Sequence, residues 1–267
     1  VATAWPFAAL VPLAVVWAWR RRGADAFKFL ITWVVGFWLV MEAAVTKLPH
    51  YTLPTYPALA IAAAAAVLAL DRRRPWLVGL PLAVIVLLGV GLAAAVFVLP
   101  TLLRDALPAP AALGALAAIG LLWAMWRAYV AGRHQTAGLA GVGAAVLLYA
   151  SIYGVLFPRM EALALSPRMA EAARLYAPCD DPAIATVGYH EPSAVFEVGT
   201  DLRLTAEAGA AALLTERDCA LAVVPTDRLD AVRAAAGREL RELTRLGGWP
   251  LNGGEWITLV LVTGDPG

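Results

Sequence analysis

The chain has 267 residues, is 61% hydrophobic and has a mean hydropathy of +0.71, which excludes an ordinary soluble domain. Its net charge of +1 conceals an asymmetry: residues 1–157 hold 11 Lys/Arg against 4 Asp/Glu, whereas residues 158–267 hold 10 Arg against 16 Asp/Glu. A basic, apolar front and an acidic, ordinary back predict a membrane part, 1–157, followed by a water-facing part, 158–267.

The sequence opens at Val1-Ala-Thr-Ala-Trp5, with no initiator Met and no charged segment ahead of an apolar core. It therefore reads as neither a signal peptide nor a natural start, and the chain is expected to be the C-terminal portion of a longer protein.

A membrane-spanning helix needs ~20 mostly apolar residues at about 1.5 Å rise each. Six segments meet or approach this: about 4–19, 27–45, 54–70, 76–99, 110–130 and 136–157. Backbone polar groups find no water in hydrocarbon, so each segment is expected to be helical. Arg20-Arg21-Arg22 with Lys28, then Arg72-Arg73-Arg74, then Arg127, Arg133 and His134 fall in alternate connections. The intervening ones hold only Lys47, and Arg104 balanced by Asp105. The positive-inside rule then makes the arginine loops cytoplasmic and puts the Lys47 turn and everything after Phe157 outside. The same rule accounts for the basic clusters, and nucleic-acid binding has no support. Gly89, Gly91, Gly138, Gly141 and Gly143 read as close-packing positions between helices.

The second and third apolar segments are joined by Glu42-Ala-Ala-Val-Thr-Lys-Leu-Pro-His-Tyr-Thr-Leu-Pro-Thr-Tyr-Pro57. Glu42 lies about one turn from the outer end of its segment, a depth at which ionisable groups are costly and face a cavity or a partner. Lys47, His50 and Tyr51 place a cation, an imidazole and a phenol within reach of one anion, with Pro49 and Pro54 stiffening the backbone. Lysine binds phosphate as a point charge, and tyrosine can donate a hydrogen bond to a phosphate oxygen. Two plainer roles stay open: a Glu42–Lys47 pair sealing the helix end, and an interfacial His50. Pro54 and Pro57 also suit the first turn of the following helix.

Thr46-Lys-Leu-Pro-His-Tyr-Thr-Leu-Pro-Thr-Tyr-Pro-Ala-Leu-Ala60, with Glu42 ahead of it, closely resembles a segment of bacterial GT-C membrane glycosyltransferases, the group of the aminoarabinose–lipid A transferases related to the protein O-mannosyltransferases. The resemblance implies an enzyme of the inner membrane that takes a sugar from a polyprenyl-phosphate donor on the outer face and passes it to a lipid or protein acceptor. It implies that Lys47 and Tyr51 line the cavity for the carrier phosphate; His50 and Glu42 join them as candidate donor-binding residues on the reading of the turn itself. Relatives often carry a proline where this chain has Val45. The family's catalytic carboxylate belongs to a loop of the N-terminal half, so no catalytic residue is assigned here.

After Phe157, Pro158 to Ala177 reads as one amphipathic helix leaving the membrane. Short β-type runs follow at Ala183–Val187, Ala220–Val224 and Trp256–Val262, with helical patterns at about 205–214 and 225–236. This alternation predicts a small extracytoplasmic, periplasmic α/β domain. Pro225-Thr-Asp-Arg-Leu reads as a helix start and Gly237 as a stop. Gly188-Tyr-His-Glu-Pro-Ser-Ala-Val-Phe-Glu-Val-Gly-Thr-Asp-Leu-Arg-Leu204 resembles a stretch of the tail domain of the same transferases. His190 and Glu191 are expected to cap the next helix rather than form a site. Gly247-Gly248 and Asn252-Gly253-Gly254 lack the Lys-Ser/Thr of a phosphate loop and read as a hairpin or loop before the last strand. Cys179 and Cys219, an even count outside the cytoplasm, suggest one disulfide, two buried thiols being the alternative. Two cysteines do not make a zinc site. No cofactor is evident, and a divalent metal stays open.

The expected fold is thus a polytopic helical bundle of about six transmembrane helices followed by a small α/β domain, and the expected function is lipid-linked sugar transfer. The alternatives are a membrane-anchored binding protein with an exterior α/β domain, and a transporter, since apolar segments with an internal Glu recur there.

Overall fold

The computed structural model describes residues 5–44, 49–69, 76–250 and 254–264, the side chains of 49, 50, 76 and 77 apart. The chain forms two compact units: Val1–Val98 with Ala109–Val155, and Leu99–Pro108 with Leu156–Gly267.

The first unit is helical. A 3₁₀ turn, Phe7–Leu10, leads into α1 (Val11–Arg20), followed by α2 (Asp25–Glu42), a second 3₁₀ segment at Pro49–Thr55, α3 (Tyr56–Leu68), α4 (Trp76–Leu102), α5 (Ala109–Val130) and α6 (His134–Tyr149). All six predicted helices are present. Among the described residues four stretches are long and apolar enough to cross a membrane: Tyr51–Leu68, Val78–Leu102, Ala109–Val130 and His134–Arg159. Phe7–Arg20 is shorter, and α2 carries Asp25, Lys28 and Glu42. The second helix ends at Glu42, not at the expected 45, so the carboxylate sits in the last turn. The Arg72–Arg74 loop lies outside the described residues.

Large apolar side chains such as Phe29, Leu87, Trp123 and Leu139 are exposed around this unit, as lipid-facing helices require. Small residues line much of the contact between its helices, beside buried Leu122 and Leu148. Ala111, Ala115 and Ala118 of α5 are buried, as are Ala137, Gly141 and Ala144 of α6. A Cβ at Gly141 would come within 2.9 Å of Met125 Sδ, and one at Gly89 within 2.7 Å of both Leu122 and Trp5. These glycines permit close helix approach, where van der Waals contact replaces the missing hydrophobic drive. α6 does not stop at Tyr149. It widens into a π-helix over Ala150–Leu156 and ends in the single turn α7 (Phe157–Arg159).

The second unit is a two-faced α/β sheet. Strands β1 (Ala183–Val187), β2 (Arg203–Thr205), β3 (Ala220–Pro225), β4 (Leu240–Gly248) and β5 (Ile257–Gly264) lie in the order β2-β1-β3-β5-β4. β2, β1 and β3 are parallel, and β5 runs antiparallel to both β3 and β4. Helices α8 (Leu165–Leu175) and α9 (Pro192–Val198) cover one face through Leu165, Met169 and Ala194 against Leu221, Val223 and Leu259. Helices α10 (Glu207–Glu216) and α11 (Leu229–Ala236) cover the other through Leu214 and Val232 against Val187, Val224 and Val260. Both faces of β3 are buried, hence its uninterrupted Ala-Leu-Ala-Val-Val run. Gly237 ends α11 in the left-handed region at φ 62°, as its sequence position suggests.

Two expectations need correction. The continuous helix over 158–177 is broken into α7, a 3₁₀ turn at Glu161–Leu163 and α8. The cause is at Ala162, whose N–H donates to the Asp105 carboxylate (3.0 Å) and whose carbonyl accepts from Trp249 N (2.7 Å), so both its backbone groups bond outside the helical ladder. The domain also contains β2 and β4, for which no run is assigned, while α9 is the helix expected after Glu191. Of the expected hairpin or loop before the last strand, the hairpin is observed: Gly247 and Gly248 end β4, paired with Thr258 and Ile257 of antiparallel β5. Residues 251–253 of the Asn252-Gly253-Gly254 stretch lie outside the described residues.

Candidate functional site

The end of α2 and the 3₁₀ segment after it border a small open cavity of about 110 Å³. Trp38, Met41 and Glu42 line it from α2; Tyr51, Thr52 and Thr55 line it from the 3₁₀ segment, and Phe37 completes the wall. Trp38, Met41 and Glu42 are spaced three and four apart and therefore share a helix face. Fully buried Thr55 donates to the carbonyl of Thr52 (2.7 Å), which fixes the tight turn carrying Tyr51. The structure thus brings Glu42 and half-buried Tyr51 to one cavity. Lys47 lies outside the described residues. His50 belongs to the same 3₁₀ segment by its backbone, and its side chain lies outside the description.

Glu42 ends α2, where the helix carbonyls already place about half a negative charge. A carboxylate there is repelled by its own helix, so the arrangement favours a cation close by. Thr52, Thr55 and Trp38 were not singled out from the sequence. The signal available was the recurrence of Thr at 52 and 55 within the proline-bounded turn.

The same wall continues into aromatic residues. Thr52 Oγ1 donates to Tyr56 Oη (3.4 Å), and the Tyr56 ring packs edge-on against Phe7 at 5.5 Å. Tyr149 donates to the Trp5 carbonyl, and Trp5 Nε1 donates to the Ile85 carbonyl (2.9 Å), tying α6 to α4.

In the second unit, Gly188 turns the chain at φ 68° after β1, buries Tyr189 and leaves His190 exposed. Tyr189 Oη and Ser166 Oγ are 2.7 Å apart, and Ser166 Oγ lies 2.8 Å from Ser193 Oγ. Burial pushes the Tyr189 phenol above its ordinary value, with the Ser166 hydrogen bond opposing. Glu191 takes the N-cap position of α9 without a side-chain capping bond, so His190 and Glu191 do not cap that helix as expected. The Arg228 guanidinium lies 3.2 Å from where a Gly188 Cβ would stand and pairs with Glu207 (3.1 Å). It fills the C-terminal edge of the parallel strands, the edge at which such sheets usually take ligands.

At the opposite edge an open cavity of about 940 Å³ is lined by Arg174, Arg203, Arg217, Asp180, Asp181 and Asp201. Arg174 and Arg217 stand at the C-terminal ends of α8 and α10, where a cation offsets the helix dipole. Cys179 and Cys219 are joined by a disulfide with a Cα–Cα distance of 6.0 Å, and the Cys219 carbonyl accepts from Ala183 N (3.1 Å) at the start of β1.

No protein-family model and no curated protein matches the chain. Among solved structures it is similar to the crystal structure of ArnT from Cupriavidus metallidurans in the apo state, with 14% identity and a TM-score of 0.58. The match covers 88% of this chain and 46% of that one, so the chain spans about half the length of that structure. The likeness extends over almost the whole chain. The layout expected from the sequence, a helical membrane bundle followed by an α/β domain, is therefore the fold observed, and it is shared with that structure.

Proposed function

We propose that the chain is part of a glycosyltransferase that moves a sugar from a polyprenyl-phosphate carrier to a lipid or protein acceptor at the outer face of the inner membrane, its α/β domain being periplasmic. One coincidence carries this reading: the stretch from Glu42 to Ala60 that resembles the transferases lies inside a fold match covering 88% of the chain.

In the reaction the bond between the sugar's anomeric carbon and the carrier phosphate oxygen breaks, the phosphate leaving with the electron pair, and an acceptor oxygen bonds to the same carbon. Negative charge builds on the departing phosphate. Lys47 and Tyr51 stabilise it by a point charge and a phenol hydrogen bond, interactions that strengthen as the charge develops. Glu42, at the carbonyl end of α2, orients the lysine, and His50 stands in the same turn. The acceptor proton is taken by a carboxylate supplied from a part of the protein outside this sequence.

The test is Lys47→Ala in the full-length protein, scored as turnover of a polyprenyl-phosphoryl sugar at matched membrane abundance. Loss of a preorganised charge of this kind costs about 10²–10³ in rate. Turnover within a factor of two of wild type would overturn the reading.

A further inference from the structure

Helix α4 closes in a Schellman turn: the Arg104 N–H donates to the Thr101 carbonyl (3.3 Å) and the Asp105 N–H to the Pro100 carbonyl (2.8 Å). That motif needs a left-handed residue just after the helix, a place glycine fills without steric cost. Here Arg104 fills it, at φ 59°, and it is the one residue other than glycine with a positive φ among those described. Backbone strain of this kind persists where the side chain has a task of its own. The hydrogen bonds of the turn call for no guanidinium.

Arg104 Cζ lies 5.9 Å from the centroid of the Trp256 ring, a cation–π distance, and the guanidinium has no hydrogen bond or ion pair among the described residues. Asp105, its neighbour in sequence, is committed to the Ala162 N–H. Trp256 rests on Gly247, where a Cβ would come within 2.9 Å of the ring, and remains 41% exposed. The Gly247 carbonyl in turn accepts from half-buried Arg168 (2.8 Å), whose Nη1 also reaches the Glu161 carbonyl (3.3 Å). Two guanidinium groups thus converge on one glycine–indole contact, and all these residues belong to the second unit.

Chain connectivity fixes the depth of this cluster. Val78–Leu102 and His134–Arg159 are both long and apolar enough to cross a membrane. An extended chain advances at most ~3.6 Å per residue, so Arg104 lies within about 7 Å of the end of the first span, and Glu161 within about 7 Å of the end of the second. The headgroup layer of one leaflet is about 5–8 Å deep. The anionic group available there is a lipid phosphate. An arginine stacked on an indole keeps its in-plane N–H fork open to two phosphate oxygens, and tryptophan itself favours this layer. An aromatic belt accounts for the tryptophan alone; it does not put an arginine in a glycine position. Arg104 and Trp256 are exposed, so a bilayer lipid reaches them without entering a cavity. We propose that Arg104, with Arg168 and the Trp256 ring, binds the phosphate of an anionic phospholipid. This site is independent of the sugar-transfer reading.

The test titrates the full-length protein in detergent with phosphatidylglycerol, phosphatidylcholine and undecaprenyl phosphate, and counts bound lipid by native mass spectrometry. Wild type should retain phosphatidylglycerol over phosphatidylcholine by about fivefold, the worth of a well-formed exposed ion pair. Arg104→Gly should abolish that preference while leaving the thermal midpoint in lipid-free detergent unchanged or higher, since glycine suits the turn better. Arg104→Lys should keep part of it, having the charge without the planar fork. Arg203→Gln, which removes an exposed arginine of β2 in the same unit, should leave it intact. No preference in wild type, a preference that survives Arg104→Gly, or an equal fall in Arg203→Gln overturns the inference. So does loss of undecaprenyl phosphate in Arg104→Gly with phosphatidylglycerol unaffected, which gives the site to a carrier lipid instead.

Discussion

The hydroxyls of Ser166 and Tyr189 meet at 2.7 Å beneath α8 and α9, both residues almost wholly buried. The tyrosine ring belongs to the core on that face of the sheet, while its hydroxyl is satisfied by the one polar position α8 offers there. An unmade bond in such a place costs about 1–3 kcal/mol.

Tyr189→Phe should therefore destabilise the domain by about 1–2 kcal/mol, leaving Ser166 to Ser193 alone. The pH profile gives a sharper check. Because burial raises the folded-state value of Tyr189, its contribution is complete below the unfolded value, near 10, and is lost as pH rises through the folded one. Denaturant unfolding from pH 8 upward should show wild type losing stability faster than Tyr189→Phe, and parallel curves would contradict this.

Gly248→Ala should be disruptive although Gly248 lies in a regular strand. An added Cβ would stand 2.8 Å from the Ala162 carbonyl and 3.1 Å from Leu165. That carbonyl is already held by Trp249 N and cannot retreat without breaking the bond. Overpacking against backbone costs about 1–3 kcal/mol, read as a lower midpoint of thermal unfolding. Gly254→Ala, with open space around it but φ 68°, is the contrast: its cost comes from backbone conformation alone, about 1–2 kcal/mol.

Cys179→Ser with Cys219→Ser tests the covalent link across a 40-residue separation. In the chain-entropy model the loss is about 3–4 kcal/mol, falling on the unfolded ensemble. Wild type treated with reductant should unfold at the same denaturant midpoint as the double variant. A shift smaller than a few tenths of a kcal/mol would show that the sheet alone orders the segment from Cys179 to Ala183.

At the Glu42 position, Glu42→Gln removes a charge that the end of α2 itself disfavours, so helix stability should be unchanged or slightly improved. If the carboxylate orients Lys47, turnover in the full-length protein nonetheless falls by about tenfold or more, the worth of one charge-assisted bond. A variant that is both stable and fully active would reduce Glu42 to a helix-end residue.

An ion-pair cluster supplies the opposite pH dependence. Arg245 and Arg233 both bond Glu242 on β4, at 2.7 and 2.6 Å. The hydrogen bond from Arg245, then that from Arg233, holds the carboxyl below its ordinary range. Its stabilisation is present above the unfolded carboxylate value and is lost as pH falls through the folded one. Because the groups are partly exposed, the effect should be small and should shrink with added salt. Glu242→Gln should flatten the acid limb of the stability curve.

Hydropathy and charge determined the layout of this protein without any tertiary information. Apolar length specifies helices because lipid leaves the backbone no other partner, and the buried strands β1 and β3 are legible because a two-faced core demands continuous apolar residues. The local spacing of Glu42 and Tyr51 about a proline-stiffened turn was equally visible. What the chain could not disclose locally was decided by distant partners. β2 has only three residues, two of them exposed, and exists because β1 pairs with it. β4 reads with Leu240, Leu243 and Leu246 three apart, like a helix. A bulge between Glu242 and Thr244 resets its alternation, so that Leu243 and Leu246 face α8 and Leu240 faces α10 and α11. The break at Ala162 depends on Asp105 and Trp249, 57 residues before it and 87 after. The widened turn over Ala150–Leu156 passes α5 where that helix carries Gly114, whose Cβ would collide with Ser151. Local propensity sets which elements a segment can form; which one it adopts, and which side chains meet, follows from hydrogen bonds and packing that only the folded chain supplies.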